Sequence, residues 1–359
     1  MIVEERPIMS STQDDKTQLV VPVSSWKRFG ALCFAIVAVG PLIGAILGCI
    51  VRPDLLAALT LVPPWFWVLL GLASVAVAVR TQRRRWTISL ILVWLCFSIG
   101  WVEEVRSLSR SMKRQLGFHR LSGTSIRVVS LNCANTSRCL EDLKAARPDI
   151  ALLQEIPGAD ELQRMAFELY GEEGSVLAGF DTAILTHGKI EPRQLGPHSH
   201  VVSGVVTFPD RVPIHCISLR LTPPVSRLDV WTAGFWTDHR DRRDTHRLEL
   251  QQVSHAINLV DSWVDRVVGG DFNTVPLDRS LDGLGPAVRD AFPQSGIGFG
   301  GTGTNDYPLF RVDQIWVNLP SEQVYSQKTE HSDHRMVVCE IASPVQPSKV
   351  QSIRQKQEP

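Results

Sequence analysis

Seven polar residues stand out because each closes or follows an apolar run: Asn132, Glu155, Asp271, Asn273, Asp313, Asp333 and His334. One Asp or Asn at the end of a strand is a common turn residue. One His is more often a packing or surface group than a reactive one. As a set they say more. Carboxylates gathered on one rim repel one another unless a cation compensates them. Oxygen ligands joined by an asparagine amide suit a hard divalent ion, Mg2+ or Mn2+. The chain has no H-E-x-x-H run and no Cys/His spacing that argues for zinc. The chemistry expected of such a set is metal-assisted hydrolysis.

The elements that must position these groups can be read around them. "SIRVVSLN" at 125–132 alternates as a strand and ends on Asn132. In "TSRCLEDLKAARPD", Leu140, Leu143 and Ala146 form a helix face that Pro148 stops. "DIALLQEI" is apolar over 150–153, as a buried strand is, and Glu155 lies at its C-terminal end. "GADELQRMAFELYG" is amphipathic and predicts a short helix. "DTAILT", "VVSGVVTF" and "IHCISLRL" predict strands. The stretch from about Asp244 to Val264 has helical spacing and leads into "RVVGGDFNT". A Gly-rich loop at 291–310, the strand "RVDQIWV" and a last strand from near Met336 complete the unit. Strands outnumber helices. The expected fold class is α+β, an α/β sandwich of two packed β-sheets flanked by helices.

The front of the chain differs. Residues 29–51, about 55–79 and about 86–102 are apolar runs without internal charge, bounded by Arg52, Asp54, Arg80, Glu103 and Glu104. Pro63 and Pro64 kink or break the second. A membrane span needs about 20 residues, so about three transmembrane helices are expected ahead of the soluble domain. The first run is too long for a signal-peptide core, and a second follows at once. Spans without Asp, Glu, Lys, Arg or His offer no polar path, which excludes a transporter or channel. Lys27, Arg28 and the Arg80, Arg83, Arg84, Arg85 cluster favour the cytoplasmic side. The third span then carries the large domain outside the cytoplasm. The expected organisation is a flexible tail at 1–26, a membrane region at 27–104, a linker at 105–119, a catalytic domain at 120–343 and a flexible tail at 344–359.

"SLN" at 130–132, "PDIALLQE" at 148–155, "GDFN" at 270–273, "RVDQI" at 311–315 and "SDH" at 332–334 occur in that order. The ordered set resembles the endonuclease/exonuclease/phosphatase superfamily over about residues 120–343, and the apolar front makes the chain similar to its membrane-anchored bacterial branch. The resemblance implies a divalent-metal-dependent hydrolase of phosphate esters, a phosphodiesterase or endonuclease using metal-activated water. It implies Glu155 as the metal carboxylate, Asn132 beside it and Asp333 as a further acid near the metal. It implies Asp271 orienting or activating water, Asn273 on the scissile phosphate, His334 on the phosphate or in proton transfer, and Asp313 orienting His334. One position departs from the pattern. Arg220 stands in "CISLRL" where the family places a His, and His215 has the opposite strand parity. Arg220 is either a phosphate clamp or a solvated strand residue in an altered enzyme.

The charges balance, with 37 basic and 37 acidic residues, so composition gives no argument for a nucleic-acid partner. The candidate partners are a phosphate-ester substrate, nucleic acid or a lipid head group, and the bilayer through the N-terminal helices; no sequence feature calls for a protein partner. A tethered lipid phosphodiesterase or phosphatase is one alternative, and a catalytically silent binding or scaffold domain is another. The localisation expected is a bacterial inner membrane, multi-pass. The cysteines Cys133, Cys139, Cys216 and Cys339 read as buried apolar residues, and a Cys133–Cys139 bridge would require an oxidising compartment. Arg311, Asn305 and Tyr307 are softer candidates for the surroundings of the site. The run "TDHRDRRDTHR" at 237–247 is expected to be a solvated helix start rather than an anion-binding rim.

Overall fold

The computed structural model describes residues 36–37, 39–81, 84–115, 125–193, 200–209 and 211–342. The two expected tails, Lys27, Arg28, Arg83 and the end of the expected linker lie outside the described residues.

The body of the chain is two stacked six-stranded sheets. The first contains β1 (Ser125–Asn132), β2 (Ile150–Gln154), β3 (Ser175–Ala178), β4 (Thr182–Thr186), β11 (Ser321–Gln327) and β12 (Met336–Ala342), in the order β11-β12-β1-β2-β4-β3. The second contains β5 (Lys189–Pro192), β6 (Val201–Thr207), β7 (Ile214–Arg220), β8 (Asp265–Asp271), β9 (Arg289–Asp290) and β10 (Asp313–Val317), in the order β5-β6-β7-β8-β10-β9. In each sheet one parallel pair lies at the centre: β1 with β2, and β7 with β8. Their C-terminal ends therefore point to the same rim of the sandwich, and they carry Asn132, Gln154, Arg220 and Asp271.

Alternation sorts the side chains into layers. Val128, Leu152, Ile184, Cys216, Val267 and Cys339 fill the space between the sheets. Val129, Leu131, Ala151 and Leu153 face the opposite way, under helices α5 (Cys139–Ala146) and α6 (Ala159–Tyr170). On the second sheet Ile217, Leu219 and Val268 pack under α7 (Ala233–Ile257). Period-two burial puts successive residues of one strand into different layers, so both strand faces are apolar, as in any sheet covered on both sides.

The front of the chain forms α1 (Val39–Val51), a 3-10 segment (Asp54–Leu61), α2 (Pro64–Thr81), α3 (Arg84–Trp101) and α4 (Glu103–Gln115). Among the described residues no single helix is long and apolar enough to cross a membrane. Two bent pairs meet the length and composition of a span together: α1 with the 3-10 segment, bent by 107°, and α3 with α4, bent by 71°. The second apolar run is thus divided at Pro63–Pro64, and its first part folds onto the soluble body. The helices interlock through glycine. A Cβ on Gly44 or on Gly71 would meet the ring of Trp67 or Trp94 at 2.3 Å. The segment expected as linker is helical through Gln115: Ser107 donates to Gly298 O at 2.6 Å and Arg110 Nε to Gly296 O at 2.7 Å.

The run at 237–247 corrects its sequence expectation. It lies inside α7, and His239, Arg243 and His246 on its inner face are buried. Arg243, at 0% side-chain exposure, pairs with Asp54 and Asp278, both at 3.2 Å, and donates to the carbonyls of Arg52, Pro53 and Ala57. A buried guanidinium is sustained only by such a full set of acceptors, and these come from the apolar front of the chain.

Candidate active site

The catalytic candidates converge on the rim defined by the parallel strand ends. Asn132 closes β1, and its Nδ2 donates to Glu155 Oε1 at 3.1 Å and to Asp271 Oδ2 at 3.3 Å. Asp271 closes β8. It sits opposite Asp313 in the antiparallel register of β8 and β10, which fixes both carboxylates at one level. His334 Nδ1 lies 2.8 Å from Asp313 Oδ2. Asn273 donates its backbone N–H to Asp271 Oδ1 at 3.0 Å and Nδ2 to Leu221 O at 2.8 Å. Among the described residues, Asp271, Asp313 and His334 each bring a ligand-type atom within 4.8 Å of the others.

The backbone is bent to achieve this. Glu155 has φ 45° and Asn273 φ 48°, left-handed values that are uncommon for residues other than glycine. Asn accepts that region readily; Glu does not. The glycine of "GDFN" is required for a different reason: a Cβ on Gly270 would lie 1.8 Å from Leu219 O of β7. Only glycine lets β7 and β8 approach closely enough to bring Arg220 level with Asp271.

The charge balance is uneven. Burial and the Asp313 charge push Asp271 up to about 7. Burial draws the His334 imidazole down, but Asp313, by charge and hydrogen bond, with Asp271 and Asp333, overrides it and holds the ring up at about 10. Asp313 Oδ1 is buried without a hydrogen-bond partner. A bare buried carboxylate oxygen beside a second carboxylate is an arrangement that a divalent cation relieves, and carboxylate oxygens suit Mg2+ or Mn2+.

Asp333 takes a different place. Its side chain is exposed at the rim, beside the loop of Asn305 and Tyr307, and it acts on His334 by charge. Arg311 turns away from the site into Asp290 and Glu103, at 2.6 and 2.9 Å. His215 is buried on the α7 side of β7, the face of Ile217 and Leu219, with Nε2 2.7 Å from Ser203 Oγ. Arg220 does reach the rim: Nη2 is 2.6 Å from Glu155 Oε1 and Nη1 is 2.9 Å from Asp181 Oδ2.

Sequence reasoning missed four supporting residues. Asp181 anchors Arg220. Asn135 donates to Glu155 Oε2 at 3.2 Å. Ser332 donates to Asn132 O at 2.6 Å and accepts from His334 N at 3.0 Å, tying β1 to the histidine. Asp142, on α5, accepts from the N–H groups of Glu330 and His331. Ser332 lies inside the "SDH" motif and was legible there; the partners of the other three lie too far along the chain.

The fold and this rim define a metallo-phosphoesterase type of site. The Endonuclease/Exonuclease/phosphatase family matches residues 129–334, and the chain belongs to that family. No curated protein matches it. Among solved structures it is similar to an endonuclease/exonuclease/phosphatase from Beutenbergia cavernae (14% identity, 62% of this chain and 72% of that one, TM-score 0.46). It is also similar to one from Bacteroides vulgatus (11%, 62% and 100%, TM-score 0.48). A third is a Bacteroides thetaiotaomicron mannosyl-6-phosphatase (15%, 61% and 100%, TM-score 0.44).

Proposed function

We propose that this chain hydrolyses phosphodiesters with the help of a divalent cation. The observation that carries the reading is the convergence of Asn132, Glu155, Asp271, Asn273, Asp313 and His334 on one rim, with a buried carboxylate oxygen left unpartnered. Glu155 and Asn132 would hold Mg2+ or Mn2+, the adjacent Asp271 and Asp313 carboxylates supply the negative charge that a cation relieves, and Asp333 adds more at the rim. The cation, when bound, neutralises charge growing on the phosphoryl oxygens. His334 is assigned to the phosphate and not to the cation, because Asp313 and the neighbouring carboxylates favour its imidazolium form, which has no lone pair for a metal. Its Nε2 is left to face the substrate.

Asp271 accepts a proton from the attacking water at a carboxylate oxygen. The water oxygen forms the new bond to phosphorus as the ester bond breaks. His334 Nε2–H donates to the phosphate and passes its proton to the departing oxygen. Asp313 fixes the tautomer and stabilises the imidazolium. Asn273 has a second amide N–H free of Leu221 O for a phosphate oxygen. Arg220 supplies a guanidinium to the same group.

The front of the chain is read as a membrane anchor. Ile43, Leu69, Leu72, Ile88, Leu92 and Ile99 are exposed on α1, α2 and α3, and exposed apolar side chains gathered on neighbouring helices mark a membrane or partner contact. Arg80, Arg84 and Arg85 lie at the turn of the α2–α3 hairpin, at the end away from Trp101, which favours a cytoplasmic turn and an extracytoplasmic domain. The lipid alternative has its own support. Leu228, Val230 and Trp231 follow β7, Tyr307, Leu309 and Phe310 precede β10, and all six are exposed on loops leading from or to the site.

The test is turnover by the full chain in detergent or nanodiscs. Duplex and single-stranded DNA, RNA, phosphoinositides and sphingomyelin would each be offered with Mg2+ or Mn2+. Turnover of at least one class is expected, removed by chelation and by Glu155→Gln or His334→Ala. Wild-type rates in both variants would refute the assignment. Faster cleavage of vesicle-borne than of dispersed lipid, reduced by Trp231→Ser, would favour the lipid reading over a nuclease. Protease accessibility in spheroplasts tests the topology; cleavage only after permeabilisation would overturn the extracytoplasmic placement.

A further inference from the structure

Both oxygens of Glu155 are already engaged. Oε1 accepts from Arg220 Nη2 at 2.6 Å and from Asn132 Nδ2 at 3.1 Å, and Oε2 accepts from Asn135 Nδ2 at 3.2 Å. The Arg220 contact is a short charge-assisted bond, of the stronger kind. While it lasts, Glu155 cannot offer its full charge to a divalent cation. Asp181 holds the other arm of the guanidinium at 2.9 Å, and His200 Nδ1 leans on the same Asp181 oxygen at 3.4 Å. The third nitrogen, Arg220 Nε, is buried without an acceptor. A buried N–H without a partner costs free energy that an incoming acceptor recovers. The guanidinium is half-buried on the rim, level with Asp271, and Nε, closed to solvent, becomes reachable only when the guanidinium moves off Glu155.

We propose that Arg220, positioned by Asp181, is a charge clamp on Glu155 that couples the two ligands of the site. It rests on the metal-dependent phosphoesterase reading. Without substrate, Arg220 neutralises Glu155 and keeps cation affinity low. A phosphate ester offers oxygens to Nη2 and to the unpartnered Nε. The guanidinium then leaves Glu155 Oε1, and the carboxylate regains its charge for the cation. Linkage makes the effect reciprocal: phosphate tightens the cation and the cation tightens phosphate by the same factor. Asp181 sets the reach of the clamp, because an arginine tied at Nη1 can pivot between Glu155 and a phosphate but cannot swing into solvent.

The experiment is Mn2+ binding by the full chain in detergent, followed by electron paramagnetic resonance with and without dimethyl phosphate, which itself binds Mn2+ poorly. In the wild type, saturating dimethyl phosphate is expected to lower the Mn2+ Kd by at least about fivefold, the lower end of typical site-to-site coupling. Arg220→Gln is expected to bind Mn2+ tighter than wild type by a similar factor without dimethyl phosphate, and to lose the response to it. Arg220→Lys, which cannot fork between two acceptors, is expected to keep only part of the response and serves if the Gln variant does not fold. Asp181→Asn weakens the tether at Nη1, so Mn2+ binding without dimethyl phosphate is expected to tighten and the response to dimethyl phosphate to shrink; unchanged binding and response in a folded variant would remove Asp181 from the clamp. Unchanged Mn2+ affinity in a folded Arg220 variant, or an intact response to dimethyl phosphate, overturns the clamp. A wild type that, with saturating dimethyl phosphate present, binds no Mn2+ or binds it no better than Glu155→Gln overturns the metal-dependent reading itself, so the two failures are separable.

Discussion

Arg243 and Arg220 both bring a guanidinium in from solvent, and they do opposite things with it. All three nitrogens of Arg243 are hydrogen-bonded, to Asp54, Asp278, Thr60 and three main-chain carbonyls. The result is a fixed joint between the apolar front and the two-sheet body. Arg220 keeps one N–H unpaired, in a neighbourhood where Asp313 Oδ1 is also unpaired and Asp271 is pushed towards neutrality. A fully satisfied polar network rigidifies; a partly satisfied one is under tension that a ligand can relieve. The difference separates the charges that hold the molecule together from those kept ready for chemistry.

The comparison breaks most sharply at Asp313. Asp313→Asn is expected to cut turnover by roughly 10²–10⁴-fold, the usual worth of a positioned acid–base group, with a smaller loss of stability than a fully paired buried charge would show, since the broken pair with His334 is offset by relief of the repulsion with Asp271. A denaturation midpoint lowered as far as by the loss of Arg243 would place Asp313 with the structural charges instead. Arg243→Met is the mirror experiment. It leaves Asp54 and Asp278 without their buried partner, and a loss of about 3–5 kcal/mol is expected by denaturation. Turnover per folded molecule should persist; its disappearance would show that the joint also serves the chemistry.

A third buried charge site sharpens the contrast through pH. Burial, with Arg266 and Arg193 nearby, draws His215 down to about 4. Above about 6.5 the ring is neutral in both folded and unfolded chains. Between 6.5 and 4 the unfolded chain takes up a proton that the folded one refuses, so stability falls with falling pH, by roughly 3 kcal/mol across the window. Urea denaturation at a series of pH values reads this directly, and His215→Asn should flatten that part of the profile. The smallest effect is expected at Asp142→Asn, which weakens the tether of the 330–331 backbone: about 1 kcal/mol of stability and a few-fold loss of turnover through a looser His334. A turnover loss as large as that of Asp313→Asn would move Asp142 into the reacting group.

Much of the sandwich was legible because its central strands are continuous apolar runs closed by polar residues. β1, β2, β4, β6, β8 and β12 and helices α5 and α6 lie where the alternation and the Pro and Gly stops put them. The strands β3, β5, β9 and β11 were not legible. They are short or lie at or next to sheet edges, half-covered, so "SEQVYSQ" and "KIEP" carry little hydrophobic signal. The site was legible as a residue set, since its members terminate recognisable strands. Which charges are balanced was not, because Arg220 meets Asp181 and Arg243 meets Asp54 across long loops of chain. The same holds for the charged run on α7: period alone cannot tell a solvated face from one covered by a distant segment.

The left-handed backbone at Glu155 has a consequence for the history of the sequence. A glutamate held at φ 45° is there in spite of the backbone, not because of it. In a lineage relieved of the need for turnover, glycine or asparagine at 155 would be favoured by stability alone, by about 1 kcal/mol. A glutamate at this position, beside an asparagine at 273 in the same conformation, is a strain offset by what its carboxylate contacts: Arg220, Asn132 and Asn135. Related chains in which position 155 has relaxed to glycine would be the ones to examine for the silent scaffold.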